Sequence, residues 1–198
     1  TIEKQKTAVA YSDLEGNSAH YAALRLAEAG VYTGRRVGDL YCFEPEGVFS
    51  REEFLAMAMT AAGAAPLENV SLTGFYDDGN ISAWAKGYVS AALIQGTVEG
   101  SPNQAGQVVF NGDGAVTCGQ AAVIIDRLLE TGDVATSAAF SKETAPAWAY
   151  QSAVNMEAVS VLSGGADLSG TLSRGEAAEM LSAMLDVLES RDTSRWFW

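Results

Sequence analysis

One histidine, His20, and two cysteines, Cys42 and Cys118, are all the imidazole and thiol that 198 residues contain. Such an inventory cannot assemble a Cys–His zinc site. It leaves the cysteines as a conceivable disulfide or, as expected for two thiols 76 positions apart, as ordinary half-buried side chains. Basic residues are scarce as well: 12 Lys and Arg against 25 Asp and Glu give a formal charge of −13, which opposes long-range attraction to a nucleic-acid backbone. Long apolar runs are missing too. The longest stretch free of charge is the fourteen residues from Phe54 to Leu67, broken by Gly63 and Pro66, too short to span a bilayer. Thr1 to Lys6 lack the apolar run of a secretory signal, so the chain is expected to be cytosolic or a trimmed piece of a larger exported protein.

Constellations for catalysis are equally sparse. His20 falls among small apolar residues with no nucleophile elbow nearby, and no glycine-rich phosphate loop follows a strand. Glu52 and Glu53 point to different helix faces and need not meet. No enzyme activity and no cofactor are expected. Asn111 to Val116 imitates part of a calcium loop, but Val109 and Gln120 stand where its first and twelfth positions need carboxylates. The segment reads as a turn, and no metal site is expected.

What the chain does have is 48% hydrophobic residues, enough for a globular body that buries roughly 70% of its unfolded surface, and it repeats itself. Ser50-Arg51-Glu52-Glu53, Thr117-Cys118-Gly119-Gln120 and Ser173-Arg174-Gly175-Glu176 are capping boxes, each marking a helix start. Behind them run matching stripes at i, i+3, i+4, i+7: Phe54, Met57, Ala58, Ala61; Ala121, Ile124, Ile125, Leu128; Ala177, Met180, Leu181, Met184. Upstream lie three more helical stripes, opening at Ala19, Ala85 and Ala149, with Gly30, Gly96 and Ser160 in the C-cap slot. Further glycines, Gly34, Gly100 and Gly164, set periods of 66 and 64 residues. Three helix–loop–helix units, each apolar on one side, bury those sides by packing together, so an all-α fold with one shared helical core is expected. Gln107 to Phe110 is the one segment with the makings of a short extended piece.

On these residues the chain resembles the S-layer homology family. Its unit reads roughly Phe-x-Asp, Trp-Ala at a helix start, Gly, a Phe-x-Pro loop and a Thr-Arg-Ala-Glu box. The first copy supplies Tyr11-Ser12-Asp13, Ala19, Gly30, Phe43-Glu44-Pro45 and its box; the second Phe75-Tyr76-Asp77, Trp84-Ala85, Gly96 and Phe110; the third Phe140-Ser141 and Trp148-Ala149. The implied organisation is an extension (1–10), three repeats (11–66, 67–132 and 133–190) and an aromatic tail (191–198) ending Trp196-Phe197-Trp198. The resemblance implies a pseudo-threefold trimer of repeats that binds an anionic, often pyruvylated, secondary cell-wall polysaccharide at a bacterial surface, as part of a longer polypeptide.

It also implies the site residues: Asp13, Asp77, Trp84, Trp148, Arg51 and Arg174. No copy is complete, since Ser18 replaces the tryptophan in the first, Cys118 the arginine in the second and Lys142 the aspartate in the third. Neighbouring repeats can complete one another, for example Arg51 with Asp77 and Trp84. Either arginine can hold a ligand carboxylate with help from amides at the helix start, or be a solvated partner of a nearby acid. Trp84 and Trp148 are expected to bury most of their area in the core, with one edge free for a groove. Asp13 and Asp77 fit both a turn-orienting role and a sugar-hydroxyl acceptor. A spacer or self-association module without glycan binding is the alternative. A glycan-modifying enzyme would need two carboxyls facing across an open cleft.

Overall fold

The computed structural model describes residues 9–194, so the Trp196–Trp198 tail lies outside the described residues. Its helices are α1 (His20–Glu28), α2 (Arg51–Ala61), α3 (Lys86–Ile94), α4 (Cys118–Leu129), α5 (Tyr150–Ala158) and α6 (Arg174–Ser194). Local chemistry sets their ends. Ser50 Oγ accepts from the Glu53 amide at 3.2 Å while Glu53 Oε2 accepts from the Ser50 amide at 2.7 Å. The same reciprocal pair joins Thr117 to Gln120 (3.3 and 3.1 Å) and Ser173 to Glu176 (3.2 and 2.8 Å). Gly30, Gly96 and Ser160 end the first helices at φ of 71°, 77° and 61°. In each case the next amide reaches back to the carbonyl five residues earlier, as Val31 to Leu26, Thr97 to Ala92 and Val161 to Met156. Ser160 adopts this left-handed conformation despite its Cβ because the turn requires it.

An all-α fold is overturned by two antiparallel hairpins. β1 (Arg35–Val37) pairs with β2 (Leu40–Cys42) across the two-residue turn Gly38-Asp39, and β3 (Ser101–Pro102) pairs with β4 (Val108–Val109). Both lie between the first and second helix of their copies. These loops are long enough to leave backbone groups that neither helix can satisfy, and a strand ladder pairs them. The third loop, from Gly164 to Thr171, is short, and no strand forms there.

The two helices of one copy are not the packing pairs. α3 packs on α2, α5 on α4, and α1 closes the circle on α6, so each first helix lies against the second helix of the preceding copy. α2, α4 and α6 also meet one another. One contiguous apolar cluster draws on all six helices and on Phe43, Phe49 and Phe110 of the loops; each such ring contributes about 1.5–3 kcal/mol on burial. Arg25 on α1 fastens the closing pair, reaching Asp186 and, at 2.8 Å, Glu189 on α6.

A second circle is built from backbone. The first two amides of α2, those of Arg51 and Glu52, donate to Gly114 and Gly112 ahead of α4; those of Cys118 and Gly119 donate to Gly170 and Leu168 ahead of α6; those of Arg174 and Gly175 donate to Gly47 and Pro45 ahead of α2. Each second helix thus starts on the turn that leads into the next.

Candidate functional site

This circle decides what the helix starts can offer. The first two amides of every second helix are bonded to a neighbouring turn, and the third to its Ser or Thr cap, so the donors expected for a ligand carboxylate are already taken. Side chains are what remain.

Asp13 and Asp77 are turn-orienting groups. Asp77 accepts from the Phe110 amide at 2.8 Å and the Asn111 amide at 2.7 Å. Asp13 accepts from the amides of Phe43 (3.0 Å) and Glu44 (2.6 Å) and from the Cys42 thiol at 3.1 Å. Burial pushes the Asp13 carboxyl up, but these donors outweigh it and hold it below the usual carboxylate range. The third copy has Lys142 at this place, and its Nζ lies 5.5 Å from the Tyr150 ring centroid instead.

The two arginines occupy equivalent positions. Arg51 sends Nη1 to the Phe110 carbonyl at 2.8 Å and lies 4.8 Å from that ring's centroid. Arg174 sends Nη1 to the Phe43 carbonyl at 3.4 Å and lies 5.3 Å from the Phe49 centroid. Their charges are handled differently. Arg174 is paired with Glu44 Oε2 at 2.6 Å, the acid-partner alternative. Arg51 makes no ion pair among the described residues, and its Nε is buried without a hydrogen-bond partner. Burial lowers the pKa of its guanidinium, with the nearby Asp77 carboxylate working the other way.

Both indoles correct the expected core role: Trp84 is 54% and Trp148 59% exposed. Ala85 and Ala149, the next residue in each case, fill the core instead, because an alanine lets the helices approach closely. The Trp148 ring lies over the start of α4, where a methyl on Gly119 would come within 3.1 Å of it.

Arg51 and Trp148 meet in a cleft of about 460 Å³ that runs along α4. Gln120, Val123, Ile124 and Arg127 form its floor, and the loop Thr97–Pro102 forms one wall. Trp84 does not line this cleft, so the structure joins Arg51 to Trp148 rather than to Trp84, while Asp77 remains close enough to act on Arg51 electrostatically. Arg127 was missed by motif reasoning. It donates to the carbonyls of Gly96 (3.2 Å) and Thr97 (3.3 Å) and pairs with Glu99 at 3.1 Å, tying the wall to the floor. A cation in the last turn of α4 was the available signal.

The matching cleft along α6, about 730 Å³, holds Cys118 where the arginine would be, and Glu157, Glu176 and Glu179 line it. Ala166 stands seven residues before its cap, where Phe43 and Phe110 stand before theirs, so ring and guanidinium are lost together. Both cysteines are free. Burial pushes the Cys118 thiol up to about 11, with Glu176 and Asp167 adding to it. No group of three or more metal-ligating side chains occurs among the described residues, and no helix there is long and apolar enough to cross a membrane.

No family model matches the chain. A stretch of 123 residues, 61% of the chain, is 34% identical to the exoglucanase XynX of Acetivibrio thermocellus. A match of the same length is 36% identical to the amylopullulanase of Thermoanaerobacterium thermosulfurigenes. The chain spans only 11% and 6% of these two proteins, a small part of each enzyme.

Proposed function

We propose that the chain is a non-catalytic anchoring module of the S-layer homology type, which holds a larger polypeptide at a bacterial surface by binding an anionic, carboxylate-bearing cell-wall polysaccharide. The observation that carries this reading is Arg51, a half-buried guanidinium on the wall of an open cleft with no carboxylate of its own, beside an exposed indole. A largely buried cation with no ion-pair partner, helped only electrostatically by Asp77, is costly, and a ligand carboxylate supplies the missing partner. The flat face of Trp148 suits a sugar ring, and Gln120 at the floor can bond hydroxyls. One other finding supports the reading: the matched relatives are far longer enzymes of which this stretch is a small part.

A spacer role without glycan binding draws its support from the α6 cleft, which has neither arginine nor tryptophan. Purified wall polysaccharide separates the two, used with and without its pyruvyl groups. The anchoring module is retained on the pyruvylated material alone. Arg51→Ala loses about two orders of magnitude in affinity, the cost of removing one partner of a desolvated charge pair, and Trp148→Ala roughly tenfold. Retention unchanged by Arg51→Ala refutes the reading.

A further inference from the structure

Of the six asparagines in the chain, Asn111 alone is followed by glycine. The turn ahead of α4 requires that pair. Asn111 holds left-handed backbone at φ 56°, which asparagine tolerates better than most residues. Gly112 is packed so closely that a Cβ there would meet Glu52 Oε2 and the Phe110 ring at 2.9 Å. Neither reacting group of this dipeptide is tied down. The Asn111 side chain is exposed, and neither its amide nor the Gly112 main-chain amide makes a hydrogen bond among the described residues. The equivalent turn ahead of α2 displays what a carboxylate does at this place. Glu44 has the same backbone, φ 58°, donates its amide to Asp13 as Asn111 does to Asp77, and likewise follows the phenylalanine whose carbonyl receives an arginine. Its Oε2 sits 2.6 Å from Arg174, whereas Arg51, beside Asn111, has no ion pair among the described residues.

We propose that Asn111 is a site of spontaneous deamidation, and that the carboxylate it yields neutralises Arg51 and weakens the α4 cleft as an anion site. The effect on binding rests on the anion reading of that cleft; the deamidation does not. The Gly112 nitrogen attacks Asn111 Cγ, and the new C–N bond closes a succinimide ring. The bond from Cγ to Nδ2 breaks, and Nδ2 leaves as ammonia with the proton from the Gly112 nitrogen. Water then opens the ring, its hydroxyl going to the carbon and its hydrogen to the nitrogen. Opening at Cγ leaves an aspartyl residue on an unchanged chain path, so the Gly112 and Gly114 carbonyls still receive the first two amides of α2. Opening at the main-chain carbonyl routes the chain through Cβ and displaces both acceptors. No electrons are exchanged, and water is the one co-reactant. The charged neighbours leave the new carboxylate a single favourable partner: Asp77 accepts the Asn111 amide at 2.7 Å and Asp113 stands exposed two residues on, whereas Arg51 is the cation bonded to the Phe110 carbonyl next door.

The wild-type protein is aged at mildly alkaline pH and mapped by peptide mass spectrometry. Asn111 is expected to convert about tenfold or more faster than Asn69 and Asn80, the other exposed asparagines, whose following Val70 and Ile81 are β-branched and hinder the attack. Equal conversion at the three positions overturns the proposal. Two variants read the consequence: Asn111→Asp is the product, and Asn111→Gly keeps the left-handed backbone but has no amide to lose. The Arg51 Nε–H signal is followed by NMR against pH, and should gain an acid titration step in Asn111→Asp that Asn111→Gly lacks. A synthetic methyl hexopyranoside carrying a 4,6-O-pyruvyl ketal is then titrated into all three proteins. Its affinity should fall about fivefold in Asn111→Asp, the worth of an exposed ion pair, and stay within about twofold of wild type in Asn111→Gly. No added titration step, or equal sugar affinity in Asn111→Asp and wild type, overturns the proposal. Fast conversion and the added step, with no sugar bound by any of the three proteins, uphold the modification and sink the anion reading.

Discussion

Replacing Asp77 by alanine separates a structural carboxylate from a ligand-binding one. The side chain accepts the amides of Phe110 and Asn111 at 2.8 and 2.7 Å. A hydrogen bond to a charged acceptor contributes about 1.5–3 kcal/mol, and a buried donor left unmatched costs about as much. Phe110 is fully buried, so water does not replace its lost partner, whereas the exposed Asn111 amide rehydrates. The loss should therefore be about 2–4 kcal/mol, less than two full bonds. For a domain of this size each kcal/mol moves the melting temperature by about 2–4 °C, so a drop of roughly 5–15 °C is expected for Asp77→Ala. Asp77→Asn keeps one acceptor oxygen and should lose about half as much. Differential scanning calorimetry at neutral pH measures both. A melting point for Asp77→Ala within about 2 °C of wild type, together with abolished polysaccharide binding, would refute the structural role and make Asp77 a direct ligand group.

Three further outcomes follow from the same geometry. Gly87 in α3 passes so close to the linker that a Cβ would sit 2.5 Å from the Leu67 carbonyl; Gly87→Ala should cost about 1–3 kcal/mol of overpacking despite its better helix propensity, and a urea midpoint equal to wild type would contradict this. Burial raises the Asp126 carboxyl pKa, only partly offset by Ser152 and Asn155. A raised carboxyl favours the protonated folded state, so stability is lost as pH rises through the folded value; Asp126→Asn should melt higher than wild type at pH 7, with the gain vanishing below about pH 4. A gain that grows toward acid pH would reverse the sign of that reasoning. Thiol titration with an aromatic disulfide at pH 8 should find Cys42 reacting first and the buried Cys118 only on unfolding; rapid native labelling of Cys118 would show that its cleft opens.

Much of the functional geometry was not visible in the residues that mark the site. Arg51 and Arg174 take the same place in like boxes, yet Arg174 is paired and Arg51 is not, because Glu44 stands 130 positions from the one and Asn111 sixty from the other. Trp84 and Trp148 read as core residues from their place beside an alanine, and the alanine took the core position.

By itself the chain determined its helix starts and stops, because a capping box or a left-handed C-cap involves only residues three to five apart and needs no partner. It determined the apolar faces for the same reason, since 3.6-residue periodicity is local. Which helix covers which face was decided only in three dimensions. All three second helices carry equivalent stripes, so any first helix finds a suitable surface on any of them; the loop paths and the closure of α1 on α6 select the preceding copy. That selection carries Trp148 and Arg51, nearly a hundred residues apart in the chain, to the two sides of one cleft.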